Sequence, residues 1–140
     1  MRIALAETEA ELRRCYPVMA QLRGHLQEEE FLDRVRRLRL GGYQLAFLEV
    51  HGTIRSLAGF RIQERLVRGL HLHVDDLVTD QAYRSQGYGD ELFDWVLARA
   101  REAGCGHLEL DSGVQRFAAH RFLFRREMHV GAFHFTMPLE

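Results

Sequence analysis

Three groups of residues in this chain have the types and spacing to do chemistry. The first is the hexamer RSQGYG, Arg84 to Gly89, between an apolar run ending in LVT and a long amphipathic pattern. A helix start needs one good capping residue, whereas two glycines also open the backbone to close approach. The first turn of a helix carries unpaired N–H groups and the positive end of the dipole, so a strand–turn–helix passage of this kind suits an anion, a phosphate above all. Arg84 would add a charge-assisted contact. A plain tight turn would use the same glycines. The Gly-Lys-Ser/Thr ending of a Walker loop does not occur, and the dinucleotide fingerprint would need a third glycine.

The second group is the acidic pair Asp75 and Asp76, just before Leu77, Val78 and Thr79. Strand alternation sends the two carboxylates to opposite faces, so one of them is expected to face a substrate. A strand-end pair that bonds water is the other reading. The third group is His71, His73 and Asp75, which share one face of the same strand. That spacing could hold a metal, or the three could line a polar groove; we expect no metal. Cys105 sits at a helix end between Gly104 and Gly106, where nothing lowers a thiol pKa, so it is a poor nucleophile.

The elements that must position these groups are legible from periodicity. RIALAE reads as a short strand, and Thr8 with Glu11 forms a capping box for a helix that Pro17 should kink or restart. EEEFLDRVRRLRLGG is a second helix with Phe31, Val35 and Leu38 on one stripe and favourable Glu30–Arg34 and Asp33–Arg37 pairs. Its four arginines read as a solvated face or an anion site. YQLAFLEV, TIRSLAGFRIQERLV and LHLHVDDLVT form an antiparallel meander, the first turn at His51-Gly52. Asp90 to Ala103 is a helix whose apolar face holds Leu92, Phe93, Val96, Leu97 and Ala100. HLELDS is a strand, RFAAHRFLFRREM a helix, and VGAFHFTMPLE a final strand with alternating Phe133, Phe135 and Met137. The order predicts a single mixed α/β domain over residues 1–140.

The bulk numbers fit that reading. A chain of 140 residues buries roughly 68% of its unfolded surface, so no disulfide or metal staple is required. Its 46% hydrophobic and 28% charged residues suit a globular protein, and a net charge of -1 argues against nucleic acid as the main partner. No apolar run is long enough to span a membrane. The amino terminus lacks an apolar signal core and the two cysteines read as a reduced pair rather than a disulfide, so we expect a cytoplasmic protein.

The hexamer and its setting resemble the GNAT acetyltransferase superfamily, whose cofactor loop reads Gln/Arg-x-x-Gly-x-Gly/Ala. Arg84, Gly87 and Gly89 match it, DDLVTDQAYRSQGYG follows the superfamily's strand, loop and helix start, and LELDSG with AHRF resembles the later strand and helix. The resemblance implies an α/β GNAT-like fold, a mostly antiparallel twisted sheet splayed between its fourth and fifth strands and flanked by about four helices. It implies acetyl-coenzyme A as co-substrate. The pantetheine arm would lie along Leu77, Val78 and Thr79, the pyrophosphate on the amides of Ser85, Gln86, Gly87, Tyr88, Gly89 and Asp90, and Phe122 would contribute to the same site. Asp90 departs from the small residue usual there, and its carboxylate must point away from a pyrophosphate.

An N-acetyltransferase for the primary amine of a small molecule follows, acting by direct attack in a ternary complex. Asp76, at a position where relatives often carry Glu, is the favoured base and Asp75 the second candidate. The acceptor pocket would draw on His73 and on Glu29 and Glu30 among the three glutamates that open the second helix, although a solvated helix start explains those glutamates equally well. Many relatives protonate the departing thiolate with the Tyr of HRFY; here Leu123 stands at that position, leaving water, Tyr88, His120 or His129. AHRF and FHFTMPLE look most like small-molecule enzymes, including the aminoalkylphosphonate type, and dimers are frequent among such proteins, so a homodimer is possible here. Leu123 also admits a second class of function, a non-catalytic acyl-coenzyme A sensor or partner-binding domain.

Overall fold

Thr8 starts the first helix as its sequence demands. The Glu11 N–H donates to Thr8 Oγ1 at 3.1 Å, and the Thr8 N–H donates to Glu11 Oε1 at 3.0 Å, which completes the capping box. A computed structural model describes the chain over residues 1–140. Helix α1 (Glu9–Leu22) runs through Pro17 without restarting. Pro17 faces solvent, where the carbonyl that loses its partner can be hydrated, while Leu12, Cys15, Val18 and Met19 bury the opposite side. Helix α2 (Glu28–Leu40) buries Phe31, Leu32 and Val35. Asp33 pairs with Arg36 at 2.7 Å, one residue short of the expected partner, and Leu38 is left 48% exposed.

The strands β1 (Arg2–Leu5), β2 (Gln44–Val50), β3 (Thr53–Arg65), β4 (Gly69–Thr79) and β5 (His107–Leu110) lie side by side in that order. The first four are antiparallel. His51 and Gly52, both at positive φ, make the two-residue turn between β2 and β3 whose twist matches that of the strands. Helix α3 (Tyr88–Glu102) carries the chain from β4 to β5. The Gly106 N–H donates to the Leu70 carbonyl at 3.0 Å, so β4 and β5 begin at the same end and run parallel. β4 has eleven residues and β5 four, so the second half of β4 outruns its neighbour.

The chain divides into two compact units, residues 1–109 and 110–140. In the first, the side of the sheet facing α1 and α2 holds one apolar cluster that includes Leu12, Phe31, Tyr43, Leu45, Phe47, Leu57 and Val78. The opposite side packs on α3, where Phe60 meets Trp95 edge-on. The second unit contains helix α4 (Phe117–Arg125). The final strand expected from the alternation of Phe133, Phe135 and Met137 does not form, and these side chains are exposed. Alternation sets which face a strand would show, but a ladder needs a second strand, and this unit supplies none.

Candidate active site

The acidic pair is shaped by an irregularity in β4. Gly59 pairs with Asp76 and the next residue of β3, Phe60, pairs with Val74, so Asp75 is an extra residue without a cross-strand partner. Such a bulge interrupts the two-residue period of the strand. The expectation of opposite faces is therefore overturned. Asp76 lies over Gly59, Asp75 reaches Arg61, and Gly59 and Arg61 are two residues apart on one face of β3. Both carboxylates emerge on the side of α1.

Asp76 is the more enclosed of the two. Its Oδ1 accepts from Arg23 Nε at 3.0 Å, and its Oδ2 accepts the Tyr43 hydroxyl at 2.7 Å. Arg23 Nη2 lies 2.9 Å from Asp76 Oδ1 and also donates to the Asp75 carbonyl at 2.9 Å. The C-terminal end of α1 is thereby tied to the bulge. A carboxylate offers about four acceptor positions, so a place remains on Oδ2 for a donor from outside. Asp75 instead takes a two-pronged contact from Arg61, Nε to Oδ2 at 2.6 Å and Nη2 to Oδ1 at 2.8 Å, with His73 Nε2 3.7 Å from Oδ1. Burial, and secondarily the Asp76 carboxylate, push the Tyr43 phenol well above its ordinary pKa. Tyr43 thus stays a proton donor to Asp76 throughout the neutral range. The sign follows: stability tied to this phenol is complete below about pH 10 and is lost as pH climbs beyond it. Tyr43→Phe is expected to remove that part of the alkaline loss of stability, read from denaturant midpoints between pH 8 and 11.

Gly59 makes this arrangement possible. A Cβ there would stand 1.9 Å from Tyr43 Oη and 2.7 Å from Asp76 Oδ2. The Tyr43 ring is held in the core and cannot swing away cheaply. Gly59→Ala is expected to cost about 1–3 kcal/mol by overpacking. Chemical denaturation checks this, and a change below about 0.5 kcal/mol, the ordinary surface range, would contradict the packing described.

The glycine hexamer lies at the far end of β4. Thr79 Oγ1 and Ser56 Oγ are 2.6 Å apart, Asp80 caps a 3₁₀ turn over Gln81–Tyr83, and Arg84, Ser85, Gln86 and Gly87 are exposed. Ser85 has φ 62° and Gly87 φ 85°, ψ 2°, two left-handed residues that reverse the chain into α3. Gly87 is the N-cap and offers no side-chain acceptor; the first bond of the helix runs from the Glu91 N–H to the Gly87 carbonyl at 3.0 Å. The N–H groups of Tyr88 and Gly89 therefore have no acceptor within the helix. A Cβ on Gly87 would meet nothing within 4 Å, so the space before the turn is open. Arg84 Nε approaches the Thr79 carbonyl at 3.5 Å, and Asp90 is half-buried in the first turn.

The other candidates fall in several places. Val78 is buried in the apolar cluster on the α1 side, whereas Leu77 and Thr79 alternate to the α3 side. Glu29 pairs with Arg13 at 2.9 Å. Ten residues of α1 separate Arg13 from Arg23, about 15 Å of helix rise, so the structure does not bring Glu29 to Asp76. Glu30 is exposed. His71 is buried, its Nε2 accepting from Arg65 Nε at 3.0 Å. Tyr88 Oη accepts from Arg55 at 2.8 Å. In the second unit, Phe122 lies under the Arg125 guanidinium at 5.2 Å, His120 Nε2 is 2.8 Å from the Gly113 carbonyl, Leu123 is half-buried and His129 is exposed. Arg23, Tyr43, Arg55 and Arg61 were missed in the sequence. Each reaches the site across a long stretch of chain, and no local spacing marks them. A cavity of about 350 Å³ bordered by Ala6, Arg39 and Tyr43 includes none of the predicted residues.

A profile of the acetyltransferase (GNAT) family matches residues 5–128. The chain is 41% identical over 108 residues to the uncharacterized N-acetyltransferase YhdJ of Bacillus subtilis, covering 76% of each. Over 76 residues it is 34% identical to the aminoalkylphosphonate N-acetyltransferase of Salmonella typhimurium, spanning 49% of that relative. Its fold is shared with an aminoglycoside N-acetyltransferase solved in complex with coenzyme A, at TM-score 0.84 and 12% identity over 99% of this chain and 95% of that one. The match extends from β1 through the glycine turn and past α4: the chain belongs to the acetyltransferase (GNAT) family and is an acetyl-transferring enzyme.

Proposed function

We propose that this protein is an N-acetyltransferase, moving an acetyl group from acetyl-coenzyme A to the primary amine of a small molecule by direct attack in a ternary complex. One domain, residues 1–140, carries the reaction; the family match running across both units supports that extent. The observation that carries the reading is the pairing of two sites at opposite ends of one strand segment. At one end the uncapped turn Ser85–Asp90 offers amides to a diphosphate, with Arg84 beside it. At the other, Asp76 keeps an acceptor position for an ammonium. Between them, Leu77, Val78 and Thr79 run beyond the end of β5, leaving strand backbone for the pantetheine amides. Phe122 and His73 are the remaining proposed contacts, to coenzyme and acceptor respectively, whereas Glu29, held by Arg13 away from Asp76, and the exposed Glu30 have no part in the acceptor pocket.

In this reading the acceptor ammonium donates one proton to Asp76, the freed amine attacks the thioester carbonyl and a C–N bond forms. The nitrogen of the tetrahedral adduct then releases its second proton to solvent as the C–S bond breaks, and the departing thiolate takes a proton from solvent. Tyr43 and Arg23 keep Asp76 oriented and supply no proton themselves. The thiolate has an intrinsic pKa near ~8.5, so water suffices as its acid in the absence of a tyrosine at Leu123. Holding amine and thioester together supplies much of the remaining acceleration. The partial likeness to the aminoalkylphosphonate enzyme makes aminoalkylphosphonates the first acceptors to try.

Leu123 in place of tyrosine favours one competing reading, a non-catalytic acyl-coenzyme A sensor. Incubation with acetyl-coenzyme A and a panel of small amines, following free thiol and thermal shift together, separates the two. Thiol release that depends on an amine is the expected result. Stabilisation without turnover on any amine would favour the sensor, and absence of both would overturn the coenzyme site.

A further inference from the structure

Arg55, beside the coenzyme turn, has two aromatic partners and no ion pair with an acid. It is an extra residue at an irregularity of β3, since Glu49 pairs with Ile54 and Leu48 with Ser56. Its guanidinium carbon lies 4.1 Å from the centre of the Tyr83 ring and 5.3 Å from that of Tyr88. Nη1 donates to Tyr88 Oη at 2.8 Å, and the Arg55 carbonyl accepts from the Asp80 N–H at 2.8 Å. Tyr83 closes the 3₁₀ turn and Tyr88 opens α3, so Arg55 holds both ends of the exposed stretch Arg84–Gly87. Its Nε is buried without a hydrogen-bond partner. The side chain as a whole is half-buried, and a partly desolvated guanidinium with a buried, unpartnered Nε and no carboxylate beside it gains from an anion that reaches it.

We propose that Arg55 is a positioning residue for the coenzyme: it clamps the two tyrosines that bound the glycine turn and leaves its positive charge for the diphosphate to balance. The inference rests on the coenzyme reading above and adds to it a residue from β3, outside the family's loop motif. The charge and the clamp are separable. Arg55→Met keeps the aliphatic stem and loses both; Arg55→Lys keeps the charge and loses the planar fork that meets both tyrosines.

The test is isothermal titration of the full-length protein with coenzyme A, which needs no knowledge of the acceptor, alongside melting of each unliganded variant. The Kd is expected to rise about 10-fold in Arg55→Met and about 3-fold in Arg55→Lys, the scale of one partly desolvated cation–π contact, with both unliganded proteins melting near the wild type. An Arg55→Met protein that binds within twofold of wild type would overturn this inference alone. So would weakened binding that tracks an equal collapse of melting temperature in both variants, since that is a purely structural role. Wild-type protein that does not bind coenzyme A would remove the coenzyme reading and this inference together.

Discussion

Asp76→Asn is expected to lower kcat by about 10²–10⁴-fold at pH 7, the range for losing a positioned acid–base group. The substitution is chosen because asparagine keeps an oxygen for the Tyr43 hydroxyl, 2.7 Å away, and so preserves the packing over Gly59. What it loses is the capacity to take a proton from an ammonium. Lysine-like amines have a pKa near ~10.4, so at neutral pH only a small fraction of acceptor is ready to attack unaided. That fraction grows tenfold with each pH unit. The deficit of the variant is therefore expected to shrink steadily as pH rises and to be nearly gone by about pH 10. Rate profiles of both proteins from pH 6.5 to 10 give the answer. A deficit that stays constant across the range would mean that Asp76 holds structure, through Arg23 and the end of α1, and takes no proton. Asp75→Asn serves as the comparison: Arg61 occupies both of its oxygens, and a loss there with no pH signature would assign it to scaffolding.

The second large effect is predicted at Gly87. Its φ of 85° is costly for any side chain, by roughly 1–2 kcal/mol. Alanine adds that strain alone, because nothing stands within 4 Å of its Cβ. Glutamate adds the strain and a carboxylate in the space where two phosphates would sit. Gly87→Glu is expected to weaken coenzyme A binding at least about 100-fold and to abolish the thermal shift, while Gly87→Ala loses about tenfold or less. A glutamate variant still stabilised by coenzyme A as strongly as the wild type would put the diphosphate elsewhere.

The parts of the molecule visible in the sequence are those fixed by local rules. The Thr8–Glu11 box, the two-residue turn at His51-Gly52, the apolar stripe of α3 and the glycine turn before it each depend on neighbours within a few positions. What escaped was set by distant packing. Pro17 would end an isolated helix, but the buried row Leu12, Cys15, Val18 and Met19 carries α1 past it. The alternation in Phe133, Phe135 and Met137 promised a strand, and alternation alone cannot supply a partner edge. At the acidic pair, periodicity gave the wrong geometry because one added residue is invisible to a pattern of apolar and polar positions. The partners Arg23 and Tyr43 come from the end of α1 and the approach to β2, more than thirty residues upstream of Asp76.

The supernumerary residue in β4 has a consequence for the strand as a whole. Before it, odd-numbered side chains such as His71 and His73 look toward α1; after it, even-numbered ones do, Asp76 and Val78. The numbering changes parity midway while the strand keeps its orientation against β3, because Asp75 alone is looped out between Val74 and Asp76, which pair with adjacent residues of β3. Excising its codon would therefore leave a regular ladder with Leu72, Val74, Asp76 and Val78 each on the side it now occupies, whereas removing a codon elsewhere in the strand would turn one part of it over. Indels are ordinarily rejected in strands. Here one deletion would be absorbed by the ladder, and what it would take away is the second carboxylate with its anchor on Arg61.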